Sequence, residues 1–312
     1  ARRRAMAAAK SFVPGAARLA PRAAELARLR DFALRGGADR TRPPRMCVIT
    51  GAGVSTESGI PDYRSENGSY SRGHKPLTHQ EFVGSDSLRK RYWARAVVAS
   101  RHFREAQPNA AHRRLAQLEK HGFVSGIVTQ NVDRLHQAAG SREVLELHGH
   151  THGVACLNCG AEFSRHEFQQ KIQQANSSWF ERFMPPEEHL DLRADGDAHV
   201  DTRDLADFTI PGCTLCGGVL MPTIVFFGGS VPQHVRDRSF EMVRRADKLL
   251  IVGSSLAVWS SFRLCKEAAA HGKPIAIVNT GETRADPLAE LKLDQGGCGT
   301  ILEDLVARLG LD

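Results

Sequence analysis

Two C-x-x-C pairs constrain the fold of this 312-residue chain more than any other feature of its sequence. They occupy residues 156–159 and 213–216, and a glycine follows each of them. In each pair a tight turn can aim both sulfur atoms at one metal ion, and two such turns complete the four-thiolate shell that zinc favours. Because the cysteines would fill every tetrahedral position, we predict one structural zinc, held by Cys156, Cys159, Cys213 and Cys216. The alternative interpretation is that these cysteines are redox-active or simply buried.

The long interval between the two pairs predicts a small inserted module rather than a simple zinc ribbon. We place this module at residues 151–218, with a polar helix at 164–176 and an acidic stretch at 185–207. The chain has seven cysteines, and this odd total argues against the disulfide framework of a secreted protein.

Apolar runs of strand length recur along the rest of the chain. Most of them lack polar alternation, which suits parallel strands that are covered on both faces. Helical patterns separate several of them, at residues 109–121, 239–246 and 261–271. The predicted strands are residues 46–50, 126–130, 144–147, 224–227, 249–253 and 275–279. We therefore predict an α/β fold: a Rossmann-like doubly wound parallel sheet, formed by residues 25–150 and 219–312, with a small inserted four-cysteine zinc-binding module.

The N-terminal segment, residues 1–24, is rich in arginine and alanine and contains no acidic residue before Glu25. This composition predicts a mitochondrial transit peptide, and the alternative is a disordered tail. The whole chain has a net charge of +7, and this segment supplies most of it, so the charge gives little support to nucleic-acid binding. We expect no membrane partner, because no apolar run approaches the length that crosses a bilayer.

Small and polar residues follow several predicted strands. Gly51, Gly53 and Gly59 follow the first strand, where glycine lets backbone N–H groups approach a pyrophosphate, although the spacing is not G-x-G-x-x-G. Ser254 and Asn279 lie at the ends of two later strands. We expect the three strand ends to line one crevice at the carboxyl edge of the sheet. The alternative is that the glycines form only a strand–helix turn.

Three further polar residues suggest a reactive site. Asn131 and Asp133 follow a strand, where an unpaired buried polar group would be costly. His148 follows another strand and could serve as a general base near neutral pH. The alternatives are a surface histidine and an asparagine that caps the next helix.

The order of these motifs resembles that of the sirtuin family of NAD-dependent protein deacylases. The matching segments are GAGVSTESGIPDYRS (51–65), TQNVDRLHQAAGS (129–141), LELHGH (145–150), the two C-x-x-C pairs, VFFGG (225–229), VGSSL (252–256) and IVNTG (277–281). Within the family, RYWAR (91–95), a later LKL and an early SFVP resemble the class II mitochondrial subgroup, the sirtuin four type. The resemblance implies that the large domain binds NAD and that the protein acts in the mitochondrial matrix on acyl-lysine residues of metabolic enzymes.

The resemblance also implies a reaction and roles for individual residues. NAD would be consumed: the acyl group of an acyl-lysine moves to ADP-ribose and nicotinamide is released. His148 and Asn131 would be catalytic. The NAD contacts would be Gly51, Ala52, Gly53, Glu57, Pro61, Asp62, Tyr63, Arg64, Gln130, Asn131, Val132, Asp133, Gly253, Ser254, Ser255, Asn279, Thr280, Gly281 and Cys298. The acyl-peptide groove would include Val225, Phe226, Phe227, Gly228 and Gly229. His150 and His152 depart from the family pattern and lie close to the base in sequence.

Acyl specificity is predicted from Tyr92 and Arg95, which resemble a Tyr-x-x-Arg pair that grips acyl groups ending in a carboxylate. The alternative is a solvated helix face, because Arg89, Lys90 and Arg91 lie beside them. The subgroup also suggests lipoyl or biotinyl substrates and mono-ADP-ribosyl transfer. Two rival functions are a nicotinamide-dependent oxidoreductase and a nucleic-acid-binding protein built on the zinc module; the acidic stretch at 185–207 counts against the second.

Overall fold

The chain forms two β-sheets of different kinds. The computed structural model describes residues 23–37, 41–66, 68–183 and 205–311. Its large sheet is parallel throughout, with the strand order β3-β2-β1-β7-β8-β9. Its strands are β1 (Met46–Thr50), β2 (Val124–Thr129), β3 (Val144–Glu146), β7 (Lys248–Val252), β8 (Ile275–Val278) and β9 (Leu291–Leu293). The predicted parallel sheet is thus confirmed.

The strand order reverses between β1 and β7. From β1 the chain builds outward through β2 and β3 on one side, and later through β7, β8 and β9 on the other. In such doubly wound sheets, ligands bind at the point of reversal, outside the carboxyl ends of the strands. At this edge Thr50 of β1 pairs with Thr129 of β2 and with Val252 of β7.

Helices connect the strands and cover both faces of the large sheet. Leucines of α1, α4 and α10 pack against one face, and the apolar sides of α8 and α9 pack against the other. Alternate β1 residues serve the two cores, since Val48 faces the first and Ile49 the second. The helices are α1 (Ala23–Leu34), α2 (His79–Gly84), α3 (Asp86–Glu105), α4 (Ala110–Lys120), α5 (Leu135–Ala138), α6 (Arg165–Ala175), α7 (Ser177–Phe183), α8 (Gln233–Arg245), α9 (Trp259–Ala270) and α10 (Cys298–Arg308).

The small sheet is antiparallel and carries the cysteines. Its strands, β4 (Gly149–Cys156), β5 (Glu162–Ser164) and β6 (Leu220–Ile224), lie in the order β5-β4-β6. Residues 224–227 were predicted as a strand of the large sheet, and that prediction is wrong. β6 ends at Ile224 and pairs with β4, because the chain there runs between the two sheets. Phe227 then makes an isolated bridge to Thr78.

The N-terminal prediction falls almost wholly outside the described residues. Of the segment 1–24, only residues 23 and 24 are described, as the start of α1. The helix ends at Leu34, before Gly36 and Gly37, which both have positive φ. No helix within the described ranges is long and apolar enough to cross a membrane.

Candidate active site

The four cysteines of the C-x-x-C pairs converge at one end of the small sheet. Their sulfur atoms all lie within 4.8 Å of one another. Cys156 Sγ is 3.5 Å from Cys216 Sγ, and Cys159 Sγ is 3.8 Å from Cys213 Sγ. A tetrahedron with zinc–sulfur bonds of about 2.3 Å has edges of about 3.8 Å, so this donor set fits zinc. All four positions are filled by protein, which makes the site structural.

A cleft of about 1240 Å³ opens at the carboxyl ends of the large-sheet strands, where the two sheets meet. Loops from distant parts of the sequence line it together, as the sequence predicted for three strand ends. The predicted residues that line it are Gly51, Ala52, Gly53, Asp62, Tyr63, Arg64, Tyr92, Arg95, Gln130, Asn131, Val132, His148, Val225, Phe226, Phe227, Gly228, Gly229, Gly253, Ser254, Ser255, Asn279, Thr280, Gly281 and Cys298.

Three of the predicted cofactor residues do not line this cleft among the described residues. Glu57 is exposed, and its carboxylate lies against the backbone of Gly297 and Gly299 at the start of α10. Pro61 is also absent from the cleft wall. Asp133 lies behind the wall and lines a separate small pocket of about 30 Å³ with Asn131. Of these three residues, Asp133 thus lies in the side pocket and Glu57 at the start of α10.

The glycines of the loop after β1 allow it to pack closely against the loop after β7. The N–H of Gly53 donates to the carbonyl oxygen of Gly253 at 2.9 Å. Gly253 has φ +61°, and a Cβ there would lie 2.4 Å from the backbone nitrogen of Val54. Glycine at these positions lets the loops after β1 and β7 touch, which shapes the floor of the cleft.

His148 lines the cleft, and both nitrogens of its ring have hydrogen-bond partners. Its Nδ1 lies 3.2 Å from the carbonyl oxygen of Gln130, and its Nε2 lies 2.8 Å from Ser260 Oγ. A carbonyl only accepts hydrogen bonds, so Nδ1 carries the proton of the neutral ring and Nε2 keeps its lone pair. Burial lowers the pKa of His148 to about 4, and the charge of Arg263 adds to this decrease, while the bond to Gln130 opposes it. The imidazole is therefore neutral at physiological pH.

Ser260 and Arg263 were missed by the sequence reasoning. Both line the cleft from the first turns of α9, and the Nε of Arg263 donates to the carbonyl oxygen of Ser260 at 3.3 Å. The only signal in the sequence was their position shortly after VGSSL, in a segment that looked like an ordinary helix start. Their relation to His148 depends on a contact across more than a hundred residues.

A buried hydrogen-bond chain joins the predicted polar residues behind the cleft. Asn131 Nδ2 donates to Ser55 Oγ at 2.9 Å, and Ser55 Oγ donates to Asp133 Oδ2 at 2.7 Å. The N–H of Leu135 donates to Asp133 Oδ1 at 3.0 Å. Burial raises the pKa of Asp133, and these hydrogen bonds oppose the increase. Asp133 is therefore a buried polar group and Asn131 a half-buried one, both with partners, and Ser55 is a further residue that the sequence reasoning missed.

His150 and His152 lie outside the described wall of the cleft. His150 Nδ1 is 3.3 Å from Thr223 Oγ1, and its Nε2 is 4.0 Å from a carboxylate oxygen of Glu146. His152 is exposed. Although both histidines are close to His148 in sequence, β4 carries them away from the cleft.

Tyr92 and Arg95 lie one turn apart on α3 and face the cleft. Tyr92 is 9% exposed and Arg95 is 7% exposed. The Tyr92 ring packs edge-on against Phe82 and Phe226, with centroids 5.5 and 5.3 Å away. Arg95 thus lines the cleft together with Tyr92 and Phe226 and does not lie on a solvated helix face.

Comparison with known proteins identifies the family. The sequence profile of the Sir2 family matches residues 51–260. The chain belongs to the Sir2 family. It is 46% identical over 283 residues to the NAD-dependent protein deacylase Sirt4 of Drosophila melanogaster, covering 90% of this chain and 86% of that protein. It is 48% identical over 256 residues to an NAD-dependent protein deacetylase of Xanthomonas axonopodis pv. citri, covering 81% and 84%.

A solved structure with the same fold contains a deacetylated peptide and an acetylated ADP-ribose. A His→Ala variant of a Sir2 enzyme, in complex with deacetylated p53 peptide and 3'-O-acetyl-ADP-ribose, matches with a TM-score of 0.71. It is 27% identical, and the match covers 92% of this chain and 100% of that one. The predicted sirtuin family, the Rossmann-like fold with its small module and the NAD-dependent activity are thus confirmed.

The chain is therefore an NAD-dependent protein deacylase or deacetylase with NAD as co-substrate and acyl-lysine proteins as substrates. The cleft fits the co-substrate, because loops after three adjacent parallel strands form its wall at the point of reversal in the sheet. Neither rival function, the oxidoreductase or the nucleic-acid-binding protein, receives support from these relatives. An insect deacylase and a bacterial deacetylase are about equally similar to the chain, so the family match leaves the subgroup open.

Proposed function

We propose that this Sir2-family enzyme removes acyl groups that end in a carboxylate from lysine side chains. Arg95, at the aromatic wall of the cleft, is the observation that carries the proposal. Arg95 is only 7% exposed and lines the cleft together with Tyr92. Arg95 presents a planar fork of N–H donors that matches a carboxylate in two-pronged geometry.

The neighbouring cations of α3 behave differently, which separates Arg95 from the solvated-face alternative. Arg89 bonds to the carbonyl oxygens of Phe82 and Val83. Lys90 bonds to the carbonyl oxygen of Ala206 at 2.9 Å. These two side chains bind backbone carbonyl groups outside the described cleft wall, whereas Arg91 and Arg95 line the cleft. The basic run is thus two groups with two functions.

We assign the role of general base to His148. Its Nε2 lone pair faces the cleft and is now bonded to the hydroxyl of Ser260. A hydroxyl of the substrate would take the place of that serine and give its proton to Nε2. The Gln130 carbonyl then holds the Nδ1 proton and stabilises the imidazolium, as an oriented acceptor does for a base. Asn131, fixed by Ser55, would present its amide oxygen to the same region.

NAD, when bound, supplies the ribose carbon to which the acyl oxygen is transferred. We assign its phosphates to the loop at Gly51–Gly53 and its adenosine to Ser254, Asn279 and Cys298, because all of these residues line the cleft at the carboxyl edge of the large sheet. The acyl-peptide is assigned to residues 225–229, which follow β6 and line the cleft, where a peptide can add as a strand through backbone hydrogen bonds. Here the N–H of Val225 donates to the His148 carbonyl oxygen at 2.8 Å, which links groove and base.

A panel of acyl-lysine peptides with NAD tests the proposal. The peptide sequence is held constant and the acyl group varies: acetyl, succinyl, glutaryl, methylglutaryl, lipoyl and biotinyl. Mass spectrometry follows the deacylated peptide, and nicotinamide release is measured alongside. We expect the acid-terminated acyl groups to give at least about tenfold higher kcat/KM than acetyl, the size of one charge-assisted contact.

The matched variants are Arg95→Gln and Arg101→Gln. Arg101 is an exposed cation on the same helix, pairs with Glu105 and is not part of the described cleft wall. We expect Arg95→Gln to remove the preference for acidic acyl groups while acetyl turnover continues, and Arg101→Gln to keep the preference. His148→Tyr, which should retain zinc, serves as the inactive control. A preference for lipoyl or biotinyl peptides would contradict the acid-specific proposal, and ADP-ribose added to a protein substrate would indicate mono-ADP-ribosyl transfer instead.

We also propose the sirtuin four subgroup and action on metabolic enzymes in the mitochondrial matrix. The acid-free basic composition of residues 1–22, the RYWAR segment and the 46% identity to Drosophila Sirt4 support this. A fusion of residues 1–30 to a fluorescent protein should enter mitochondria. The same fusion with Arg2, Arg3 and Arg4 changed to Glu should stay outside. If neither fusion enters mitochondria, the proposed localisation is wrong.

A further inference from the structure

We propose that His112, which is fully buried behind the cleft, is a positioning residue: it fixes the direction of the hydrogen-bond chain that orients Asn131 and Asp133. The proposal rests on the proposed roles of Asn131 and Asp133 in the co-substrate pocket. His112 lies in the first turn of α4 and is 0% exposed. No motif in the sequence had indicated a functional role for His112.

The two nitrogens of His112 face different groups. Its Nδ1 lies 3.3 Å from the backbone nitrogen of Asn109, whose N–H can only donate. Nδ1 must therefore accept, and in the neutral ring Nε2 carries the proton. Nε2 lies 3.4 Å from Ser55 Oγ. The backbone of Asn109 thus selects the tautomer that presents an N–H to Ser55.

This tautomer decides where the single proton of Ser55 goes. Ser55 Oγ receives hydrogen bonds from Asn131 Nδ2 and from His112 Nε2. With donors on two sides, its own O–H points to the remaining acceptor, Asp133 Oδ2, at 2.7 Å. Asn131 must then turn its NH₂ group inward and its amide oxygen away from Ser55. One histidine tautomer therefore sets the orientation of both pocket residues.

The surroundings of His112 keep its ring neutral and fixed. The ring packs edge-on against that of His136, with centroids 4.8 Å apart. Burial, with a contribution from the charge of Arg113, lowers the pKa of His112 to about 4. Burial and His112 likewise lower the pKa of His136. His136 Nε2 bonds to Thr50 Oγ1 at 2.9 Å, so it does not compete for Ser55.

Histidine at position 112 both accepts and donates a hydrogen bond, and substitutions can remove one of these functions or both. Its ring accepts a hydrogen bond from the backbone N–H of Asn109, the N-cap of α4, and it thus occupies position N3 of a capping box, where Glu or Gln is usual. It also donates to Ser55. Glutamine can do both, glutamate can only accept, and leucine can do neither. A series at residue 112 therefore distinguishes helix capping from control of the chain.

The test uses full-length enzyme with a reactive acyl-peptide. We measure KM for NAD, kcat, and the inhibition constant for nicotinamide. We expect His112→Gln to stay within about threefold of the parent enzyme. His112→Leu should raise both KM and the nicotinamide constant about tenfold, and His112→Glu, which draws the Ser55 proton to itself, should raise them about 100-fold.

A destabilised control separates this role from a purely structural one. Ser164→Ala removes the side-chain cap of α6, which lies in the small module, far from Ser55 in the fold. Loss of folded enzyme lowers kcat but leaves KM and the nicotinamide constant unchanged. If the variants of His112 show only this pattern, the inference is wrong. If the parent enzyme releases no nicotinamide with any acyl-peptide, the proposed function fails instead.

A measurement on the parent enzyme covers the case in which His112→Leu and His112→Glu do not fold. Nitrogen-15 NMR of labelled histidine distinguishes the two neutral tautomers, and His112→Gln identifies the signal. We expect a neutral ring with its proton on Nε2 at pH 7. A protonated ring, or a proton on Nδ1, would overturn the proposal.

Discussion

Gly149 allows a severe test of how the base is positioned. The residue follows His148 directly and begins β4. Its φ is +74°, a left-handed conformation that costs an L-residue about 1 kcal/mol or more. A Cβ at this position would lie 1.9 Å from the carbonyl oxygen of Thr223 in β6. Both groups are backbone, so no side chain can rotate to relieve the contact.

The size of the displacement follows from that distance. A carbon and an oxygen atom need at least about 3.0 Å, so Gly149→Ala must move the start of β4 and β6 apart by about 1 Å. His148 is held by hydrogen bonds of 3.2 Å to Gln130 and 2.8 Å to Ser260. A shift of 1 Å breaks both, and misplacement on this scale typically costs about 100-fold in rate. We therefore expect kcat to fall about 100-fold although no catalytic side chain changes.

The assay compares Gly149→Ala with Gly272→Ala. Gly272 has φ +62°, but a Cβ there meets nothing within 4 Å. This control carries the conformational cost without the clash. Both variants are measured for deacylation, zinc content and thermal unfolding. A Gly149→Ala enzyme with kcat within threefold of the control would refute the reasoning, because the base would then not depend on the junction of the two strands.

Three further predictions concern charge, metal and pH. The acid limb of the pH–rate profile is expected near pH 4, from the pKa of His148. Arg263→Gln should shift this limb to higher pH, because a nearby cation disfavours the imidazolium. A limb that does not shift would show that burial alone sets this pKa. Cys213→Ser should abolish stoichiometric zinc and cooperative unfolding of the small sheet, as metal analysis and calorimetry would show, since a four-thiolate site is closed by protein. The free energy of unfolding should decrease as pH falls from about 6.5 towards 4, and His112 should account for about 3 kcal/mol of this decrease. In this range the histidine is protonated in the unfolded chain but stays neutral in the folded one. Urea titrations of His112→Gln should show a smaller decrease.

The sequence could predict features that depend on short spacings. The four zinc ligands followed from two tight turns, and five of the six strands of the large sheet followed from apolar runs; the short edge strand β9 was not predicted. The run at 224–227 misled, because an apolar run looks the same in a parallel sheet and at the edge of an antiparallel one. β4 escaped notice since its first half, GHTHG, is polar and only partly buried.

Features that depend on long-range contacts could not be predicted. The bond of His148 to Ser260 joins α9 to the β3–β4 junction, and nothing local marks either residue for the other. Glu57 was expected in the cleft from its motif, but it lies against the start of α10. His112 resembled an ordinary helix residue because its partners, Ser55 and Asn109, define its role only after the chain has folded.

His148 is fastened to both sheets. Its ring bonds to Gln130, at the end of the large sheet, while its own carbonyl oxygen accepts from Val225, which follows the small sheet. A displacement of one sheet against the other would therefore strain or break one of these two bonds and misalign the His148 ring. The orientation of this one side chain thus depends on how the two sheets are packed together.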